Sequence, residues 1–335
     1  MPVLLLTRSA AVHEAVVPLC AAAGVGAEVS GEPALCLSSW SAADLVLVGD
    51  DLLEEVVAIA PARRPGVHVV GSSPGDHAFR AAVTLGASSV LDLPDAAGAL
   101  VDLVADVGER SSPGRTVGVV GGTGGAGATT LACALAQCHA VRAPTLLVDT
   151  DPLGPGLDRL LGMEGVAGVR WEALVDTAGR LGARALREAV PRRDDLGVLT
   201  WSGLRRRVDV PTVRRILPAA SRGHDLVVLD LPRQEAGLAE LVDRCDDLLV
   251  VAPATVPALA ATARLVAGMA RHGHAGLVLR PGGVGDADAE RVTGLPVVAA
   301  LADQRGLAAS VDRGLGPLPG RGPLARAARD LLDAA

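Results

Sequence analysis

The amino-acid sequence predicts an α/β protein made of two successive units, each with a mainly parallel sheet. Three observations predict this class. Short apolar runs alternate with helical stretches, a polar segment rich in Gly, Pro and Ser interrupts them once, and a glycine-rich turn then joins a strand to a helix. The length of 335 residues suits two domains of ordinary size.

The composition narrows the possible classes of function. Hydrophobic residues make up 50% and charged residues 21% of the chain, which is typical of a globular protein. The net charge is -7 and all 31 cationic residues are Arg, so no overall basic field favours nucleic acid as a partner. The cysteines form no CxxC pair, which favours reduced core thiols and a cytoplasmic protein.

The first unit is predicted at residues 1–107, followed by a linker at 108–115 and a second unit at 116–335. Strands of the first unit are predicted at 3–6, 27–29, 45–48, 67–70 and 90–93. Strands of the second unit are predicted at 117–120, 146–148, 198–200, 226–229, 248–251, 277–279 and 297–298. Their apolar runs are continuous rather than alternating, which predicts sheets covered by helices on both faces.

The first unit and its closing segment at 86–94 resemble a response-regulator receiver domain. A working receiver holds Mg²⁺ on an acidic pair after the first strand and ends the last strand in Lys-Pro. This chain has Thr7, Arg8 and Leu93 at those places. Asp50 and Asp51 follow the third strand near the place of a phosphoacceptor, and a solvated loop start is the simpler interpretation. The resemblance therefore implies a pseudo-receiver that serves interaction or dimerisation.

A glycine-rich run at 121–127 is the sharpest feature of the second unit. It follows the predicted strand at 117–120 and precedes a helical pattern. Glycines let backbone amides approach a phosphate closely, and a helix N-terminus adds partial positive charge. The run is therefore predicted to form an anion-binding turn.

Two motifs fit this turn. Gly122, Gly124 and Gly127 match the dinucleotide fingerprint G-x-G-x-x-G, and Asp149 ends the next strand where a ribose-binding acid belongs. Gly122 and Gly127 also match the P-loop G-x-x-x-x-G-K-[ST], with Ala128 at the position of the lysine. The turn alone does not decide between them.

Later segments resemble the MinD/ParA family of deviant P-loop ATPases. The segment at 148–152 is similar to the D-x-D-P sequence of that family, and the segment at 225–232 looks like its Walker B strand. A degenerate loop behind a pseudo-receiver resembles the CpaE/TadZ group, particularly actinobacterial septum-site-determining proteins. The resemblance covers residues 117–335 in order and implies a role in placing a septum or a secretion or pilus apparatus.

The same resemblance implies roles for individual positions. Active members have two loop lysines, and this chain has Thr123 and Ala128 in their places, which implies weak or absent binding and hydrolysis of ATP with Mg²⁺. The implied phosphate-binding residues are Gly122, Gly124, Gly125, Gly127, Ala128, Thr129 and Thr130. The implied Mg²⁺ ligands are Thr129, Asp149 and Asp230, and the implied catalytic carboxylate is Asp151. Arg280 stands where the family reads adenine with asparagine, either as a solvated side chain or as partial replacement of the lost positive charge.

The resemblance further implies a homodimer that contacts proteins of a division, secretion or pilus apparatus. The C-terminal segment at 322–335 has one apolar face without a bulky aromatic anchor, which favours core packing over membrane contact. We expect a cytoplasmic protein that is recruited to a septum or pole. Two alternatives stay open: an active MinD/ParA-like ATPase, including one for DNA partition, and a dinucleotide-binding Rossmann oxidoreductase.

Overall fold

A computed structural model divides the chain into two compact units, Met1–Ser112 and Pro113–Ala335. The structure describes residues 3–108, 113–175, 181–203, 210–233, 238–269, 273–317 and 322–334. Residues 109–112 of the linker predicted at 108–115 lie outside the described residues. Both units are α/β units with parallel sheets, so the predicted fold class is confirmed.

Strands and helices alternate along the first unit. Its strands are β1 (Val3–Leu6), β2 (Ala27–Ser30), β3 (Leu45–Gly49), β4 (Val67–Gly71) and β5 (Ser89–Asp92). Its α-helices are α1 (Ala10–Ala22), α2 (Leu37–Ala42), α3 (Leu53–Ile59), α4 (Asp76–Leu85) and α5 (Ala97–Gly108), with a 3-10 turn at Pro33–Cys36 before α2. The strands pair in parallel in the order β2-β1-β3-β4-β5, which is a doubly wound order.

Both faces of this sheet are buried because successive side chains of a strand face opposite sides. Leu4 and Leu6 pack in a core with residues of α2, α3 and α4. Val3 and Leu5 pack in a second core with residues of α1 and α5. Each central strand therefore needs apolar residues at every position, which explains the continuous apolar runs.

The second unit follows the same alternation over a larger sheet. Its strands are β6 (Arg115–Gly121), β7 (Thr145–Asp149), β8 (Arg192–Arg193), β9 (Leu196–Leu199), β10 (Leu226–Leu231), β11 (Asp247–Pro253), β12 (Ala275–Arg280) and β13 (Val297–Ala300). Its helices are α6 (Ala128–Ala140), α7 (Leu157–Leu160), α8 (Trp171–Val175), α9 (Ala183–Ala189), α10 (Val210–Gly223), α11 (Leu238–Val242), α12 (Val256–Ala267), α13 (Asp286–Thr293), α14 (Leu307–Asp312) and α15 (Pro323–Asp333).

The strands of this sheet lie in the order β13-β12-β11-β6-β10-β7-β9-β8. Every described pairing is parallel except that of β8 with β9. β6 is central, and the chain leaves it toward β7 on one side and later returns to β11 on the other. A sheet of this kind opens a crevice at the carboxyl ends of its strands, where ligands bind.

Each predicted strand lies on an observed one, with small differences at the ends. The strand predicted at 198–200 is β9, which ends at Leu199, so Thr200 lies just beyond the strand. β8 was not predicted because two residues carry no periodic pattern. The five cysteines are free thiols and four of them are buried, which agrees with the prediction of reduced core thiols.

The C-terminal helix α15 packs against α6. Its apolar face is part of the core of the second unit, with Leu324, Ala325, Ala327, Ala328 and Leu331 all buried. The prediction of a core-packing helix is therefore confirmed for the described residues. Within the described parts of the chain, no helix is both long and apolar enough to cross a bilayer.

Candidate functional site

The glycine-rich run forms a tight turn between β6 and α6. Gly125 and Gly127 have φ values of +70° and +96°, in the left-handed region that favours glycine. Gly122 is needed for a steric reason, because a Cβ atom there would lie 2.0 Å from Thr262 Oγ1 on α12. Substitution at these three positions would therefore distort the turn.

Backbone amides of this turn are available to an anion. Gly124 and Gly125 are exposed, and within the described residues the amides of Gly124, Gly125 and Gly127 donate no hydrogen bond to the protein. The turn is closed by the Ala126 amide, which donates to the Thr123 carbonyl oxygen at 3.3 Å. Together with the partial positive charge at the N-terminus of α6, this geometry is typical of an anion site.

Two buried aspartates lie at the adjacent strand ends. Asp149 on β7 and Asp230 on β10 are paired in register and are 2% and 6% exposed. Burial raises the pKa of Asp149 to about 6 and that of Asp230 to about 7. A hydrogen bond with Thr129 opposes the shift in the Asp230 pKa, and the negative charges of Asp149 and Asp151 add to it. This edge of the sheet is thus acidic and weakly solvated next to the start of α6.

Asp151 lies in the loop after β7. Its Oδ1 accepts a hydrogen bond from the Leu153 amide at 2.9 Å, and its own amide donates to Asp149 Oδ1 at 3.1 Å. Asp151 is only partly buried, so its carboxylate is within reach of solvent. The side chain shapes its own loop, and the backbone amide of Asp151 ties that loop to Asp149.

Strand pairing and a hydrogen bond bring together the predicted Mg²⁺ ligands Thr129, Asp149 and Asp230. Asp230 is paired with Asp149 in the sheet and hydrogen-bonded to Thr129. In the part of the chain that the structure describes, no group of three or more His, Cys, Asp or Glu side chains is arranged to hold a metal ion. A hard cation takes several oxygen ligands. A Mg²⁺ ion here would therefore depend on phosphate oxygens from a ligand as well as on these residues.

Two supporting residues were not identified from the sequence. Thr200 Oγ1 donates to Asp149 Oδ2 at 2.7 Å and accepts from the Leu157 amide at 3.2 Å. Trp171 Nε1 donates to the Asp149 carbonyl oxygen at 2.6 Å, and its ring stacks on Trp201 with centroids 5.7 Å apart. Thr200 could have been found as a polar residue at the end of a strand next to β7, whereas Trp171 carries no local signal.

The charge of the turn differs from that of a working P-loop. Thr123 and Ala128, at the positions of the two lysines, carry no charge, and Ala128 packs partly against the core. A cation is instead supplied at the turn by Arg280, the last residue of β12. Its Cδ and Nη1 atoms lie 3.7 and 3.8 Å from the position that a Cβ atom on Gly127 would occupy. Its Nη2 pairs with Asp303 Oδ1 at 3.1 Å.

The first unit has its own cluster of polar contacts at the ends of β1 and β3. Asp51 accepts hydrogen bonds from Thr7 Oγ1 at 2.8 Å and from the Arg8 amide at 2.6 Å, and Arg8 Nη1 pairs with Glu55 Oε1 at 2.6 Å. Leu93 is buried. Thr7, Arg8 and Leu93 therefore occupy the positions at which the receiver resemblance expects the acidic pair and the lysine.

Comparisons with known proteins fit this architecture. Residues 6–115 match the family model described as the Rv3660c-like, CheY-like N-terminal domain. The chain is 37% identical to Rv3660c of Mycobacterium tuberculosis H37Rv over 326 residues, which covers 93% of this chain and 92% of the relative. It belongs to the Rv3660c-like family. The protein MT3760 of Mycobacterium tuberculosis CDC 1551 matches this Rv3660c-like chain with the same identity and coverage.

MinD and ParA proteins are among the solved structures similar to this Rv3660c-like chain. A ParA family ATPase from Chlorobium tepidum gives a TM-score of 0.54 at 16% identity, covering 65% of this chain and 97% of that one. A MinC:MinD cell division complex from Aquifex aeolicus gives a TM-score of 0.53 at 18% identity, and the match covers 66% of this chain and 97% of that one. MinD of Pyrococcus horikoshii, solved with Mg-ADP, gives a TM-score of 0.51 at 19% identity, and the match covers 66% of this chain and 95% of that one. At these identities the similarity establishes a MinD/ParA-like fold.

Proposed function

We propose that this Rv3660c-like protein is a positioning or regulatory factor of the MinD/ParA type that helps to place a septum or a secretion or pilus apparatus. In this proposal its nucleotide site is too poor in cations for steady ATP hydrolysis. The supporting observation is made at one sheet edge, which keeps the glycine turn and the buried aspartates but has uncharged Thr123 and Ala128 in place of the lysines.

The retained residues fit a weakly bound nucleotide with Mg²⁺. The turn would contact phosphates through Gly122, Gly124, Gly125, Gly127, Ala128, Thr129 and Thr130. Thr129, Asp149 and Asp230 would hold Mg²⁺, which neutralises phosphate charge when bound, and Asp151 would be the catalytic carboxylate. Loss of one charged hydrogen bond costs about 1.5–3 kcal/mol, so the missing lysine at Ala128 weakens binding by roughly 10–150-fold.

A role in docking also accounts for the first unit. Its receiver-like fold is complete, whereas the positions that would support phosphorylation hold Thr7, Arg8 and Leu93. A scaffold that keeps its shape but lacks the reacting groups is suited to protein contacts. We propose a homodimer in the cytoplasm that is recruited to a septum or pole by its partners in the apparatus.

The enzymatic part of this proposal is tested by titrating the purified full-length protein with MgATP in a calorimeter, with a parallel assay of phosphate release. We expect weak or undetectable binding and no turnover above background. Micromolar binding with steady hydrolysis that Asp151→Ala abolishes would instead identify an active MinD/ParA-like ATPase.

The cellular part is tested with a fluorescent fusion observed together with deletion and overexpression. We expect foci at septa or poles and cells with misplaced septa or failed division. Even staining of the nucleoid with loss of chromosomes would contradict a positioning role and favour DNA partition. The acidic net charge of -7 argues against that alternative, because DNA binding relies on a basic surface.

A further inference from the structure

Arg280 is placed to act at the glycine turn although it comes from a different strand. It ends β12, and its aliphatic stem and one guanidinium nitrogen lie against Gly127, the last residue before α6. Its side chain is 38% exposed, so the guanidinium is within reach of a ligand in the crevice. A cation therefore lies at the turn despite the loss of both loop lysines.

Asp303 holds this guanidinium from the loop after β13. The contact joins Arg280 Nη2 to Asp303 Oδ1, and the Asp303 side chain is 76% exposed. Exposed ion pairs of this kind are weak and exchange readily with other anions. A guanidinium also has five N–H donors, of which this contact uses one, so the group can bind a second anion or change its partner.

We propose that Arg280 replaces the missing lysine as the cation of the turn, and that this site takes a pyrophosphate group while Asp303 competes for the same guanidinium. The inference deepens the proposed function, because it names the ligand chemistry of the same site. The exposed amides of the turn supply neutral donors, and the planar guanidinium supplies paired donors that match two phosphate oxygens.

The arrangement has a consequence for regulation of the site. In a P-loop the lysine belongs to the turn, whereas here the cation reaches the turn from β12 and is shared with the loop that carries Asp303. An anion that takes Arg280 releases Asp303. Occupancy of the turn is thereby coupled to the segment that follows β13.

The test is calorimetric titration of the full-length protein at low ionic strength with inorganic pyrophosphate and, separately, with ADP. Arg280→Gln removes the cation and is expected to weaken pyrophosphate binding by about tenfold or more. Asp303→Asn removes the competing anion and is expected to strengthen binding several-fold. If the two substitutions change the affinities for pyrophosphate and for ADP comparably, the site recognises the pyrophosphate group. If they change only the affinity for ADP, the result would contradict a site that takes pyrophosphate.

Arg291→Gln is the matched control. Arg291 is also an exposed arginine with a carboxylate partner, Asp288, but it lies on α13, and its loss changes the net charge by the same amount. We expect the pyrophosphate affinity of Arg291→Gln to stay within a factor of about two of that of the unaltered protein. Unchanged thermal midpoints would show that all three variants are folded.

Three further results would overturn the inference. These are undetectable pyrophosphate binding by both the unaltered protein and Asp303→Asn, equal binding by Arg280→Gln and the unaltered protein, and equal loss in Arg280→Gln and Arg291→Gln. Each leaves the positioning role standing, because that role is tested by the fusion and by the absence of turnover. Vigorous ATP hydrolysis would reject the proposed function whatever the behaviour of Arg280.

Discussion

Single residues at the carboxyl edge of the second sheet show an imbalance of charge. Asp149 and Asp230 are buried beside the start of α6, and the two loop positions that would offer cations hold Thr123 and Ala128. Burial of the carboxylates raises their pKa values toward neutrality, as both aspartates show. The site therefore has an excess of negative charge, which a substitution can lower either by adding a cation or by removing a carboxylate.

Adding a cation is the first prediction. Ala128→Lys places a cation at the start of α6, and we expect it to strengthen MgATP binding about tenfold or more, measured by calorimetry. Ala140→Lys is the control, since it adds the same charge at the other end of the same helix from a similarly half-buried alanine. Equal binding by the two variants would show that the missing cation does not limit affinity.

Removing the buried charge is the second prediction. The folded state keeps the Asp230 proton up to about pH 7, whereas the unfolded chain releases it near the ordinary pKa of an aspartate. Its contribution to stability is thus complete at low pH and is lost as the pH rises through about 7. We expect Asp230→Asn to be more stable than the unaltered protein by about 1–4 kcal/mol at pH 8 and by much less at pH 5.

Urea unfolding at the two pH values measures this difference. Asp312→Asn, an exposed aspartate on α14, is the control for loss of one negative charge. A stability gain of Asp230→Asn that is the same at pH 5 and pH 8 would contradict the assignment of the gain to the buried carboxylate.

At the scale of elements, strand register assembles the site. β10 lies between β6 and β7, and its pairing with β7 sets Asp230 directly opposite Asp149. The glycine turn begins where β6 ends, so the turn and the two carboxylates share one edge of the sheet. A shift of one residue in this pairing would turn a carboxylate to the other face, which is why buried strands of this kind have a fixed register.

The element α15 carries the third prediction. Leu324 is 4% exposed in its contact with the core, so we expect Leu324→Ala to lower the free energy of unfolding by about 2–5 kcal/mol in urea titrations. Leu315→Ala is the control, because Leu315 is 52% exposed and should change stability little. Because the apolar face of α15 is buried in the core, we also expect the protein not to float with anionic lipid vesicles. Flotation that depends on α15 would contradict this expectation.

The strand ends of the first unit carry the fourth prediction. Asp51 is held by Thr7 and the Arg8 amide, and no acidic pair stands after β1 to bind Mg²⁺. We expect acetyl phosphate with Mg²⁺ to leave the chain unmodified in intact mass spectrometry. A stoichiometric phosphoryl adduct that maps to Asp50 or Asp51 would show a working receiver, and a receiver with its acidic pair and lysine serves as the positive control.

For the whole molecule, both units combine a regular sheet with substitutions at motif positions. The first unit has Thr7, Arg8 and Leu93 at the receiver positions, and the second has Thr123 and Ala128 at the positions of the P-loop lysines but keeps the predicted Mg²⁺ ligands. Stability and shape depend on the apolar cores, which are intact in both units. In the proposed function, this combination serves binding rather than turnover.

The fifth prediction separates this view from the dinucleotide alternative. A ligand that binds only the folded state raises the thermal midpoint by mass action. We expect NAD(H) and NADP(H) to leave the midpoint of the full-length protein unchanged in thermal unfolding scans. A clear rise with NAD(H) and none with ATP or ADP would identify the turn as a dinucleotide site and reject the positioning proposal.

The sequence alone located the strands of this protein except β8, because strands depend on local pattern. Continuous apolar runs located the strands, and the turn at 121–127 was recognisable because its glycines are needed at Gly122, Gly125 and Gly127. The absence of lysine from the turn is likewise a property of the sequence itself. Such features are carried by residues that are neighbours along the chain.

Only the tertiary structure decided which distant residues meet at the site. Thr200 supports Asp149 from 51 positions away along the chain, and Trp171 does so from 22 positions away. Asp303 lies 23 positions from its partner Arg280. These contacts follow from the order in which the strands pair and from the helices packed on the faces of the sheet. Because the same local pattern allows many such orders, the partner of Arg280 and the burial of Asp230 follow from the assembled sheet and not from the residues around them.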